Sequence, residues 1–124
     1  MITRIPALEF MQRAVGIYQS VDKLASLQIT RCGYGQVVEF RSGSKVQFAG
    51  VVGAAGNSVE LFVQLGLPNV VRMSGDLQLQ NAISFKAQEP PTTLLFTVEG
   101  DSLALTVSLG GYASGHHLLQ RVSD

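Results

Sequence analysis

Few residues in this chain combine the type and the spacing that chemistry needs. His116 and His117 are its two histidines. Neighbours on a strand point to opposite faces, so this pair cannot readily close on one metal ion, and no cysteine or carboxylate stands at ligand spacing from them. Cys32 is the single cysteine. As a nucleophile it would need a histidine brought beside it by folding, and the residue by itself reads as a half-buried small hydrophobe. Glu99 and Asp101 could share acid–base work in a cleft that shifts a pKa, yet they flank Gly100 in what reads as a turn, where water surrounds both. Gly50, Gly53 and Gly56 lack the Gly-x-Gly-x-x-Gly spacing, no Gly-Lys-Ser/Thr follows, and the next segment reads as a strand. A phosphate loop needs a helix N-terminus aimed at the anion. No enzyme, no metal and no cofactor is expected.

Composition narrows the classes further. The chain has 124 residues, enough for a single α+β domain over 1–124 with an unassisted core. Hydrophobic residues make up 46 % and charged residues 15 %, which argues against disorder. Nine basic residues balance nine acidic ones, so bulk charge does not suit a protein that grips nucleic acid tightly. Neutrality leaves solubility marginal and fits a surface partly covered by self-association, so a homo-oligomer is expected. With one cysteine no disulfide forms within the chain. Glu9, Gln12 and Arg13 interrupt the first apolar run, and no window is long and apolar enough to span a membrane. Cytoplasmic residence is the expectation.

The segment 77–109 shows the clearest local order. Leu94, Phe96 and Val98 alternate with Leu95, Thr97 and Glu99, and beyond Gly100-Asp101-Ser102 the alternation resumes from Leu103 to Leu109. Period two with a turn between predicts a hairpin. Pro90-Pro91 stops whatever precedes it. Leu79, Ala82, Ile83 and Phe85 fall at helical spacing and predict a short second helix, although Gln78 to Lys86 can also be read as a strand.

Elsewhere Ile2–Ile5 reads as a first strand. A helix opens at Pro6, carries an apolar stripe from Ala7 to Tyr18, and ends near Ser20 to Leu24. Strands are expected over Leu27–Arg31, Val37–Arg41, Lys45–Val52, Val59–Leu65 and Val70–Ser74. Small-residue turns lie at Ser42–Ser44, Gly53–Ser58 and Gly66–Asn69, and Asp22-Lys23 reads as an exposed helix end. Gly110–Gly115 reads as loose, and His116–Val122 as a closing edge strand. The expected fold is an N-terminal helix against seven to nine mostly antiparallel strands.

This order resembles one domain of a DNA polymerase sliding clamp. The likeness is carried by Leu77-Gln78-Leu79 leading into Asn81–Lys86, then Leu94–Glu99, the turn Gly100-Asp101 and Leu103–Ser108, with Ile2–Ile5, the helix from Pro6 and Leu27–Arg31 fitting the family's opening. It is a likeness of pattern rather than of a diagnostic motif. It implies helices lining a ring around duplex DNA, sheets on the outside, and a partner peptide bound in an apolar surface pocket. Arg13 and Lys86 would face the duplex, with Arg4 and Lys23 as further candidates. Each phosphate contact would be weak and non-specific, as sliding requires. Family chains string two or three such domains together, so this one would need about six copies to close a ring. Basic residues on its helices are also fewer than the family leads one to expect.

Two other readings fit the same residues. One is a structural assembly protein of capsid or tail type, without DNA contact, whose exposed strand edges drive self-pairing. The other is a small apolar-ligand binder built around a barrel cavity.

Overall fold

A computed structural model describes residues 5–64, 70–79, 81–88, 91–109 and 113–123. One helix, α1 (Pro6–Arg13), precedes ten strands among these residues. They are β1 (Gly16–Gln19), β2 (Ala25–Cys32), β3 (Gly35–Ser42), β4 (Lys45–Ala55) and β5 (Ser58–Gln64), followed by β6 (Val70–Leu79), β7 (Ala82–Gln88), β8 (Pro91–Glu99), β9 (Ser102–Leu109) and β10 (Ala113–Ser123). Every strand pairs antiparallel with its chain neighbour from β1 to β10. The sheet closes where β1 meets β10, with Tyr18 opposite Arg121 and Gln19 opposite Gln120. The mostly antiparallel β architecture expected from the sequence is present, as an up-and-down barrel.

The alternation that builds it is visible strand by strand. Gln36, Val38 and Phe40 of β3, Val59, Leu61 and Val63 of β5, and Leu103, Leu105 and Val107 of β9 are buried, and the residues between them are less so. Period two puts these sets on the inner wall. Eight strands leave an interior that side chains just fill, and ten leave a wider one. Here the extra width is taken up by rings and by the helix. Phe85 meets Phe96 edge-on at 5.9 Å between centroids, and Phe40 lies 5.5 Å from Phe48. Each ring contributes about 2–3 kcal/mol by leaving water. Met11 and Phe10 enter from α1 and are 0 % and 3 % exposed. Leu61, Met73, Ile83, Phe85, Leu94 and Leu105, spread over β5 to β9, are fully buried.

Helix α1 lies across the end of the barrel that carries the turns Gly33-Tyr34, Gly56-Asn57 and Gly100-Asp101. It packs against β3, β5 and β6, and shallow clefts lie between it and Asn81 and Val98, and between it and Leu77. No side chain caps its N-terminus, but Pro6 opens its first turn. Its C-terminus is held more elaborately. The Tyr18 hydroxyl donates to the Ala14 carbonyl at 2.7 Å. Arg121 donates from Nη2 to the Arg13 carbonyl at 3.1 Å. Carbonyls that end a helix without intrahelical donors are thereby satisfied, and a cation sits at the negative end of the helix.

Several expectations need correction. The first helix stops at Arg13 rather than near Ser20, and Gly16–Gln19 is a strand. At Gly16 a Cβ would stand 3.0 Å from the Ser123 carbonyl oxygen, so the chain there lies tight against β10, where a helix does not fit. The second helix is absent, and 82–88 is strand β7. Ala82, Ile83, Ser84 and Phe85 are all buried, which erases the two-residue alternation and leaves an apolar run readable either way. The segment Gly53–Ala55 extends β4 instead of forming a loop, and β6 runs on to Leu79. Asp22-Lys23 belongs to the β1–β2 turn, not to a helix end. β10 is paired on both sides and is not an edge. The expected strand at residues 2–4, with Arg4, and the turn at 66–69 lie outside the described residues.

Candidate interaction surface

The residues singled out for chemistry are kept apart by the fold. His116 points outward, where its Nδ1 lies 2.9 Å from the Thr106 hydroxyl. His117 points inward onto the Phe40 ring at 4.8 Å between centroids. Opposite facing follows from adjacency on β10, as expected. Burial holds the His117 imidazole below its ordinary value, helped less strongly by the neighbouring His116. Among the described residues no group of three or more His, Cys, Asp or Glu side chains is placed to hold a metal ion. Cys32 is exposed at the end of β2, which corrects its reading as half-buried. Glu99 and Asp101 flank the β8–β9 turn and are exposed, as expected. Gly50 and Gly53 lie within β4 and Gly56 in the turn after it, so no helix N-terminus faces them.

The basic candidates do not converge. Arg13 ends α1 at the helix end of the barrel. Lys23 sits in the β1–β2 turn at the opposite end, with φ 63°. Lys86 is exposed on the outer wall of β7, between Ser74 and Thr93, and is therefore not on a helix. The β1–β2 turn is ordered by its own side chains. Asp22 accepts from the Ser20 hydroxyl at 2.6 Å and from the Leu24 amide at 3.0 Å, and these two bonds, the hydroxyl foremost, lower its carboxyl pKa.

Two features went unseen in the sequence. The first is Gln36, fully buried on the inner wall, whose amide oxygen and nitrogen both have no hydrogen-bond partner. The second is a row of apolar side chains on the outer wall. Val37 of β3 stands opposite Val51 of β4, and Val51 opposite Phe62 of β5. They are 36 %, 49 % and 48 % exposed. Thr30 and Arg72 continue the row on either side. Two ion pairs flank it. Arg72 meets Glu60 through two hydrogen bonds, one of them 3.1 Å long, and Arg41 meets Glu39 at 2.5 Å. The signal for this row was present in Val37, Val51 and Phe62 themselves. Each is out of phase with its strand's buried set, but without the register their adjacency cannot be read.

Fold and surface together define a helix-plugged up-and-down β-barrel with a packed interior and an apolar strip on its outer wall. No protein-family model, curated protein or solved structure matches the chain. Among the described residues, no helix is long and apolar enough to cross a membrane.

Proposed function

We propose that this protein is a non-enzymatic, self-associating β-barrel, a structural building block that works through its outer wall. The observation that carries this is the contrast between the two walls. Inside, side chains from every strand and from α1 fill the barrel, which leaves an apolar ligand little to enter. Outside, Val37, Val51 and Phe62 stand in register in water. An apolar strip kept at the surface of a well-packed monomer is characteristic of an interaction site. Association through free strand edges is not the route, because a closed barrel has no free edge.

A clamp-like use around duplex DNA is the second reading, and it is less favoured. It would need Arg13, Lys23 and Lys86 on one surface, and they stand on two ends and a side wall. Light scattering over a range of concentrations, with and without a circular duplex, separates the two. A defined oligomer whose mass ignores the duplex is expected. A strict monomer at high concentration removes the self-association reading. Salt-sensitive retention on the circle, lost when the circle is cut, would favour the clamp.

A further inference from the structure

We infer that the outer wall from β3 to β6 docks on the same wall of a second copy of this chain. The Phe62 ring of each copy then seats on Val51 of β4 in the other, between the small residues Ala49 and Gly53. The inference rests on the self-associating reading above and names its surface.

Shape points to a second copy. The outward residues of β4 are Ala49, Val51 and Gly53, and no atom lies within 4 Å of the place a Cβ would take on Gly53. Val51, with a small residue on either side of it along the outer face, therefore stands directly opposite the projecting Phe62 of β5. A large and a smaller apolar side chain facing each other on adjacent strands are self-complementary about a two-fold axis that runs between them, parallel to the strands. That axis exchanges β4 with β5, so each ring lands on the other copy's Val51, and both contacts form at once.

Charge points the same way. The same axis exchanges β3 with β6. Arg72, whose side chain is 69 % exposed, then faces β3 of the second copy, where Glu39 stands two residues from Val37. Two reciprocal Arg72–Glu39 pairs result, in exchange for the Arg72–Glu60 and Arg41–Glu39 pairs within each copy. The six charged residues of β3 to β6, Glu39, Arg41, Lys45, Glu60, Arg72 and Asp76, sum to zero, as does the whole chain. Such a wall meets itself without repulsion and offers no attraction to a strongly charged partner.

The test uses the full chain in sedimentation equilibrium, with circular dichroism to confirm folding. Phe62→Glu is expected to weaken association by about 100-fold, the loss typical of a central aromatic anchor. Leu118→Glu, on the wall across the barrel, is expected to leave it unchanged. Arg72→Glu and Glu39→Arg should each weaken self-association at least about tenfold, and mixing the two proteins should restore a dimer, because both cross pairs are then opposite in sign. If the wild type associates but Phe62→Glu does not weaken it, or the mixture fails to pair, this surface is wrong while self-association stands. A wild type that stays monomeric throughout removes both. Association that appears only with a peptide from another protein also overturns the second copy as occupant.

Discussion

Arg121 donates a 2.7 Å hydrogen bond to the hydroxyl of Tyr18, a residue 103 positions earlier in the chain. The guanidinium also lies 5.3 Å from the centre of the Tyr18 ring. That hydroxyl in turn donates a hydrogen bond to the Ala14 carbonyl, so a single chain of hydrogen bonds ties the barrel's last strand, its first strand and the end of its helix. Hydrogen bonds to charged groups contribute about 1.5–3 kcal/mol, less where water competes.

Tyr18→Phe and Arg121→Met should therefore each lower stability by about 1–2 kcal/mol, and the double variant by less than the sum. Urea unfolding of the four proteins measures the coupling. Strict additivity would mean that the two side chains do not act as one unit.

The buried amide of Gln36 has the opposite sign. Two polar atoms held out of water without partners are costly, and an apolar side chain of similar volume removes that cost. Gln36→Met should raise stability by about 1–2 kcal/mol, read as a higher urea midpoint at constant slope. A loss would show that the amide is satisfied in solution.

Two glycines on one strand should behave oppositely. At Gly50 a Cβ would stand 2.5 Å from the Phe62 carbonyl oxygen and 2.9 Å from the Val63 Cα, both backbone atoms of β5. Gly50→Ala must push β4 and β5 apart and should cost about 2–4 kcal/mol. Gly53→Ala meets nothing within 4 Å and should stay within about 0.5 kcal/mol of wild type. Thermal melts of both variants test the contrast.

His117 gives the fold a pH dependence. Its pKa in the folded chain is held below the ordinary 6.5, chiefly by burial against the barrel interior. As pH falls through 6.5 the unfolded chain takes up a proton before the folded one does, so stability drops until the folded imidazole is protonated too. His117→Phe, which keeps a ring against Phe40, should flatten the melting temperature between about pH 7 and 5. An unchanged slope would assign the dependence to other groups.

Much of the barrel was legible from alternation alone. The hairpin at Gly100-Asp101 and the faces of β5 follow from period two, and the split of His116 from His117 follows from adjacency. The errors have physical causes. Ala82–Phe85 is buried on both faces, which hides the strand signature. Ala7 to Tyr18 keeps an apolar stripe across the junction at Ala14, because α1 and β1 bury side chains in the same interior. Closure of the sheet could not be read, since it depends on Tyr18 meeting Arg121 across the whole chain. The outer strip stayed hidden for a related reason, because it exists only once β3, β4 and β5 are in register.

The seam between β1 and β10 has a consequence for how the chain reaches this shape. Nine of its ten strand pairings are between consecutive strands and can zip up one hairpin at a time. The tenth must gather residues about a hundred positions apart, at an added loop-closure cost of about 3 kcal/mol relative to a tight turn. Until that joint forms, β1 and β10 each present an unsatisfied border, and α1 lacks the arginine that secures it. Assembly should therefore be gated by one late, long-range event, and a half-zipped intermediate with two bare borders is the species most prone to stick to its own kind.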